Sequence, residues 1–432
     1  MPGGVKEYIA AFRLGRLAMS EPLPTSPSLI AEKAHDFQWD GHVLEPGVAL
    51  ALSGGGFRAM LFHAGALTRL NEIGILSGVA RISSVSGGSI ASGYLACIWS
   101  RLGSPNALGA FDQFQQKFVE PILGFSRQRI DIGDILTGLL PWTSAADQVA
   151  ASYDSALFHN ITLQAIPDRP QFVFCATNMQ TGVLWRFSKL YAGDYLVGRI
   201  DRPNVPLSKA VTASSAFPPF LSPLVLTLPA GSITDWPGQP TETERAIDPT
   251  PFRSHVLLTD GGVYDNHGVE AVVKRYMTLL VSDGGAPFRR SADLDTDPIR
   301  QLQRVVDVTD NQVRALRRRD LINRFKAAQT AEAAGKLNPS QIDFYARFGT
   351  YWGIDTDPAK ITPDGALPCV PGTIHRLARL PTRLSDLGEL NSKQLINWGY
   401  TICDRCVRVH YNRPAIQQAL PPAWPYPEAA LG

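Results

Sequence analysis

Ser86 sits where a serine can act as a nucleophile. It ends a short run, Arg81–Val85, and Gly87, Gly88 and Ser89 follow it as the opening of a helix. A serine on a sharp strand-to-helix turn projects its hydroxyl from the sheet edge, and small neighbours permit the turn. The helix start behind it offers backbone N–H groups and a positive dipole end. A second glycine turn, Gly54, Gly55 and Gly56, lies upstream, with Gly55 preceding Ser86 by 31 residues. Such a turn can aim N–H groups at an anion. A nucleophile and an oxyanion hole are the two parts that acyl transfer requires. The expected donors are Gly54, Gly55 and Gly56, with Gly87 as a further one. Either segment alone is an ordinary turn; their order and spacing point to acyl chemistry.

The elements that must position these residues are legible around them. Val48–Ser53 reads as a buried strand. A helix is expected over Ala59–Ile73, with Leu61, Ala64, Leu67, Leu70 and Ile73 on one face. Two segments, one before each turn, make a βαβ unit. Further buried strands are expected at 172–177 and 255–259, the first returning as a partner strand over Val183–Phe187. The second, HVLLT, delivers Asp260 at its end, followed by Gly261 and Gly262. Asp260 can therefore approach the elbow as the base that takes the serine proton. A Ser–Asp–His triad with His267, His375 or His410 as base is the alternative. Ser214 and Ser215, on a small-residue helix over Leu207–Ser214, are rival nucleophiles. They lack the strand-then-glycine setting and are expected to pack, as is His63.

Three segments carry a family resemblance. SGGGFRA at 53–59 resembles the glycine-rich oxyanion loop of patatin-like phospholipases, G-G-G-x-R-G. SVSGG at 84–88 resembles their nucleophile elbow, G-x-S-x-G. TDGGVYDN at 259–266 fits their downstream Asp-Gly-Gly. Ser84 and Ala59 stand where the family pattern has glycine. The resemblance spans Pro46 to Leu280, and PTRLSDL…QLINWGY at 381–400 is similar to the C-terminal part of bacterial members. It implies an α/β fold: a three-layer α/β/α sandwich with a mainly parallel central sheet and a helical cap. It implies a lipid acyl hydrolase that cleaves carboxylic esters of (phospho)glycerolipids through a Ser86–Asp260 dyad and an acyl-enzyme, without cofactor or metal. Arg58 would either order the glycine loop or pair with a phosphate. A catalytically silent lipid- or partner-binding protein and an acyltransferase using the same serine are the competing readings.

Composition bounds the rest. The 432 residues are 44% hydrophobic and 19% charged, enough for a large core. With 41 basic and 39 acidic residues, net +2, no global field draws nucleic acid. Five cysteines fit reduced thiols in a cytosolic setting better than a disulfide framework. Cys403 and Cys406 form a lone C-x-x-C, expected to be structural. No apolar run is long enough to span a membrane. The expected order is an N-terminal arm (1–45) and a catalytic core (46–290) with a helical cap insertion (102–158). A helical C-terminal part (291–412) packed on the core and an extended tail (413–432) complete it. The apolar ILTGLLPW at 135–142 belongs to the cap. The basic stretch RALRRRDLINRFK at 314–326 is expected as a solvated helix face rather than an anionic-lipid patch. A cytoplasmic protein meeting membrane or micellar lipid peripherally is the expectation, and export as an effector fits the same features.

Overall fold

Successive residues of Val48–Leu52 face opposite sides of one strand, and each side finds a core of its own. Leu50 and Leu52 join Leu61, Leu67, Leu70, Leu95 and Trp398 in the larger core. Ala49 and Ala51 join Val269, Val272, Leu279, Val281, Leu321 and Phe325 in a second core on the opposite face. A strand buried on both faces requires helices on both, so the molecule has three layers.

The computed structural model describes residues 44–128, 145–218, 221–236, 247–294, 296–335, 345–411, 416 and 419–432. The N-terminal arm, up to residue 43, and the ILTGLLPW segment lie outside them. The chain runs β1 (Glu45–Leu52), α1 (Gly56–Glu72), β2 (Val79–Ser84), α2 (Gly87–Ile98), α3 (Glu120–Ser126) and α4 (Ala145–Tyr153). There follow β3 (Gln171–Asn178), β4 (Leu184–Ser188), β5 (Tyr191–Asp194), β6 (Gly198–Asp201), α5 (Leu207–Ser215), β7 (Leu224–Thr227), β8 (His255–Asp260) and α6 (Gly262–Asp265). The last elements are β9 (Tyr276–Asp283), α7 (Pro298–Ala333), β10 (Phe348–Gly353), α8 (Pro371–Ala378) and α9 (Glu389–His410).

The strands form one sheet in the order β10-β9-β1-β2-β3-β4-β5-β6, with β8 pairing β3 and β7 pairing β8. From β10 to β3 every pairing is parallel; beyond β3 the sheet continues as antiparallel hairpins. Register decides where the chemistry sits. Leu52 stands beside Ser84 on one side and Ser282 on the other, so β1, β2 and β9 end together. Strand β8 joins β3 antiparallel with Asp260 opposite Ala176. Ligand sites of such sheets lie outside the carboxyl ends of the parallel strands.

The C-terminal part is built into this body. It supplies β10 to the sheet, and α9 packs along α1 through glycines. A Cβ at Gly65 would lie 1.8 Å from the Ile396 carbonyl oxygen, and one at Gly399 would lie 1.8 Å from that of Phe62. The tail is tied down by Asn397, whose amide donates to the carbonyls of Tyr426 and Ala429 at 2.7 and 2.9 Å.

Two expectations change. The sequence from Gly268 to Tyr276 reads as the start of a helix, but in the structure it is a series of tight turns, with Gly268 at φ 68° and β9 already beginning at Tyr276. Strand pairing with Glu45 of β1 claims Tyr276, and Val269 and Val272 are spent on the second core. The basic stretch at 314–326 is a solvated face only in part, with Arg318, Arg319 and Lys326 exposed. Arg314 faces Asp283, Arg317 pairs with Glu270, Arg318 with Asp355 and Arg324 with Asp320. Among the described residues, no helix is long and apolar enough to cross a membrane.

Candidate active site

Ser86 joins β2 to α2 with φ 50° and ψ −120°, a conformation that costs a non-glycine residue on the order of 1–3 kcal/mol. Several contacts hold it there. Its N–H lies 3.1 Å from both the carbonyl and the hydroxyl oxygen of Ser214, and its carbonyl accepts from the N–H groups of Ser89 and Ile90. The following glycines let the turn seat against the rest of the site. A Cβ at Gly87 would lie 2.1 Å from the Gly56 carbonyl oxygen, and one at Gly88 would lie 2.5 Å from that of Leu52. The α1 and α2 N-termini therefore meet beside Ser86.

The two departures from the glycine pattern are both accommodated. Ser84 is buried, and its hydroxyl accepts from Ser92 at 2.7 Å and Ser89 at 3.0 Å, bracing the first turns of α2. Ala59 packs on Gly284, where a Cβ would come within 2.7 Å of the Ala59 Cα, so the methyl is matched by a missing one.

Ser86 and the Asp260 loop are brought together, the N–H groups of Ser86 and Gly261 converging on the Ser214 carbonyl, and the Ser86 side chain lowers the pKa of the Asp260 carboxyl. Asp260 is buried at the end of β8, and the Gly262 N–H donates to its Oδ1 at 2.7 Å. Its own N–H donates to Ala216 at 3.0 Å, and its carbonyl accepts from the Thr177 hydroxyl at 2.9 Å. Burial pushes its pKa up to about 6; the hydrogen bonds from Gly262 and Ser86 oppose that shift, and the Asp310 charge adds to it. No cation is among the causes. The carboxylate is thus a stronger base than an ordinary aspartate and is ionised at neutral pH.

Of the expected oxyanion donors, Gly54 is differently employed. Its N–H donates to the Asn266 carbonyl at 3.0 Å, and its missing side chain leaves room for Asn266, whose Oδ1 would be 2.4 Å from a Cβ. Gly54 is a spacer between Ser86 and Asn266. Gly55 is the N-cap of α1 and Gly56 and Gly87 are first residues of α1 and α2, where N–H groups have no intrahelical acceptor. Gly55 and Gly56 have φ 141° and 60°, which only glycine adopts readily.

Arg58 lies buried under this loop. Its Nε donates to Gly284 at 3.1 Å and its Nη1 to Leu380 at 2.5 Å, while Nη2 would be 2.9 Å from a Cβ on Gly55. These are loop-ordering contacts, and desolvation lowers its pKa only to about 10, so it remains charged. His63 bridges the ends of β1 and β9, contacting the Ser53 carbonyl at 2.9 Å and the Ser282 hydroxyl at 2.8 Å. Burial drops its pKa to about 4, so it is neutral packing at physiological pH.

The candidate bases of a triad are elsewhere engaged or exposed. Nε2 of His267 contacts Asp283 at 3.1 Å, and His375 and His410 are exposed on α8 and at the end of α9. Ser215 is buried, its hydroxyl donating to Val211 at 2.9 Å. Ser214 is buried too, and sequence reasoning missed its role. Its hydroxyl donates to Cys175 at 2.6 Å, and its carbonyl accepts from Ser86 at 3.1 Å and from Gly261, next to Asp260, at 3.2 Å. It ties the elbow to the aspartate loop. Asn266, Asp283, Arg314 and Tyr351 were missed as well. For Asp283 a signal existed, because SDGG at 282–285 repeats the strand-end pattern of TDGG at 259–262. Cys403 and Cys406 are buried within α9, and no metal-holding group of His, Cys, Asp and Glu occurs among the described residues.

The site thus sets a strained elbow serine, at the end of a parallel strand, between a buried aspartate and two helix N-termini. Residues 50–273, more than half of the chain, match the family model of patatin-like phospholipases, and the chain belongs to that family. Family membership supports lipid hydrolase activity in general terms. No curated protein matches the sequence. Among solved structures, human GIVD cytosolic phospholipase A2 is similar at 13% identity and a TM-score of 0.49, covering 90% of this chain and 63% of that one. VipD from Legionella pneumophila is similar at 14% identity and a TM-score of 0.33, covering 84% of this chain and 67% of that one. The chain thus spans under two thirds of the human enzyme.

Proposed function

We propose that the protein hydrolyses carboxylic ester bonds of glycerolipids through a Ser86–Asp260 dyad. The observation that carries this reading is a buried aspartate, its pKa raised by burial to about 6, held beside the elbow serine by the Ser214 carbonyl that receives the N–H groups of both loops. Asp260 accepts the proton as Ser86 attacks the ester carbonyl. The tetrahedral oxyanion is met by the N–H groups of Gly55, Gly56 and Gly87; one such donor is worth about 2.7–4 kcal/mol in known cases. Asp260 returns the proton to the leaving alcohol, and then activates the water that releases the acid from the acyl-enzyme. Arg58 fixes the loop that presents the donors. The substrate is membrane or micellar lipid met by peripheral contact, in the cytoplasm.

A fluorophosphonate probe tests the nucleophile. Labelling is expected on Ser86 and absent in Ser86→Ala; undiminished labelling of that variant overturns the assignment. A lipid panel read by mass spectrometry, wild type against Ser86→Ala, names the substrate class. Acyl label appearing on an added alcohol rather than as free acid would convert the reading to acyl transfer.

A further inference from the structure

Helix α7 has two halves of different character. From Leu321 onward it is anchored, with Leu321, Phe325 and Ala328 buried. Before that, Ile299, Leu302, Val305, Val306, Val308, Val313 and Leu316 are all exposed, Ile299 at 78% and Leu302 at 67%. The exposed stretch of Ile299–Leu316 is about 27 Å long at 1.5 Å per residue. An isolated helix of this length is marginal in water and normally owes its stability to a packed apolar face.

The exposed side chains follow a rule. Ile299, Leu302, Val306, Thr309, Val313 and Leu316 are spaced 3, 4, 3, 4, 3, the a/d seam of a heptad repeat. Ile299, Val306 and Val313 fall at a, all β-branched; Leu302 and Leu316 fall at d. That distribution favours two parallel strands. The geometry points to a second copy of this chain as the occupant, the two α7 helices pairing in parallel about a two-fold axis.

Charge does not oppose self-pairing. Flanking positions of a parallel pair meet as Val305 with Asp310 and Gln312 with Arg317, so no like charges oppose each other along the seam. Arg317 is already neutralised by Glu270 at 3.0 Å. A lipid surface fits less well. Interfacial helices carry large aromatic or leucine side chains against a cationic face, whereas this stripe is rich in valine, lacks aromatics and is bordered by Asp307 and Asp310. The pairing rests on the helix alone and not on the dyad.

The experiment uses the full chain in analytical ultracentrifugation over a range of concentrations, with and without anionic vesicles. A reversible dimer is expected, and Leu302→Glu with Val306→Glu should raise its dissociation constant about a hundredfold or more. That variant should keep wild-type turnover of a soluble short-chain ester, which shows that it has folded. Val306→Cys, at an a position, should form a disulfide-linked dimer with oxidised glutathione, mapped to residue 306 by mass spectrometry. Asn311→Cys, on the far side of the helix, should not. A wild type that stays monomeric at every concentration overturns the proposal, as does a dimer unaffected by the double substitution. Vesicle binding lost in the variant without a dimer to lose assigns the stripe to lipid instead.

Discussion

Two strands of this sheet end in an aspartate followed by two glycines, and the two aspartates sit in opposite surroundings. Strand β8 ends at Asp260, before Gly261 and Gly262, and β9 at Asp283, before Gly284 and Gly285. Both carboxylates are buried, and each accepts the N–H two residues on, Gly262 at 2.7 Å and Gly285 at 2.9 Å. Their acidities part in opposite directions. Around Asp283 stand Arg314 at 3.6 Å, His267 at 3.1 Å and the Tyr351 hydroxyl at 2.7 Å. Burial would raise its pKa, but Arg314 and then His267 and Tyr351 hold it well below the usual carboxylate range. Among the described residues no cation opposes burial at Asp260; the Gly262 N–H and the Ser86 side chain do so only weakly, so burial prevails and its pKa is about 6. A buried carboxylate becomes a base where compensating charge is withheld, and a structural anchor where it is supplied.

The comparison breaks most sharply on activity. Asp260→Asn should lose roughly 10²–10⁴-fold in ester hydrolysis, the range for removing a general base. His375→Ala and His410→Ala should each stay within about tenfold of wild type. His267→Asn should do so too per folded molecule, because His267 serves Asp283. A folded histidine variant that loses as much as Asp260→Asn would make that histidine the base and end the dyad reading.

On stability the order reverses. Asp283→Leu leaves Arg314 without its buried counter-charge and His267 without its hydrogen-bond partner, and breaking a buried pair costs about 3–5 kcal/mol. Urea unfolding should show the midpoint falling accordingly; an unchanged midpoint would mean that the cluster anchors nothing.

Asp260→Asn should stabilise the fold, with a defined pH dependence. The folded-state pKa of Asp260 is about 6 against an unfolded value of 3.8. Between these values the native chain binds more protons than the unfolded one, so stability falls as pH rises from the lower to the upper. About two units correspond to at most roughly 3 kcal/mol lost above pH 6. Asparagine keeps the Gly262 hydrogen bond and carries no charge. The variant should be the more stable at pH 8, with the gap narrowing towards pH 4. A constant gap would assign the effect to packing. The same ionisation should set the acid limb of wild-type kcat/KM, with activity falling below about pH 6.

The identical Asp-Gly-Gly endings explain how far the sequence could be read. Buried strands, the glycine turns and the elbow are local patterns, and Val48–Ser53, Ala59–Ile73 and Leu207–Ser214 match β1, α1 and α5 to within a few residues at their ends. Choosing Asp260 over Asp283 depends on which strand lies beside which, because Arg314 and Tyr351 reach Asp283 from α7 and β10. No spacing in the chain encodes those contacts. The displaced Gly54 N–H is of the same kind, since its acceptor, Asn266, lies on another element. So is the antiparallel half of the sheet: β5, β6 and β7 are only four residues each, too short for a periodicity to declare them.

The smallest expected effect concerns Ser214, which touches Ser86 and the glycine that follows Asp260. Its hydroxyl contacts the Ser86 N–H at 3.1 Å, the Ser89 hydroxyl at 2.8 Å and the Cys175 carbonyl at 2.6 Å, all on the buried side of the elbow. Ser214→Ala removes these contacts but leaves the backbone carbonyl that also receives the Ser86 and Gly261 N–H groups. The Ser86 backbone stays near its strained conformation with one restraint fewer. The Cys175 carbonyl loses a donor, and an unsatisfied buried acceptor costs about 1–3 kcal/mol. Turnover should fall by about tenfold, through less accurate placement of the hydroxyl, with KM unchanged. Fluorophosphonate labelling of Ser86 should slow in proportion and not disappear. Complete loss of labelling in a folded Ser214→Ala would make Ser214 the nucleophile and Ser86 its support. Unchanged turnover would show that the carbonyl alone holds the elbow.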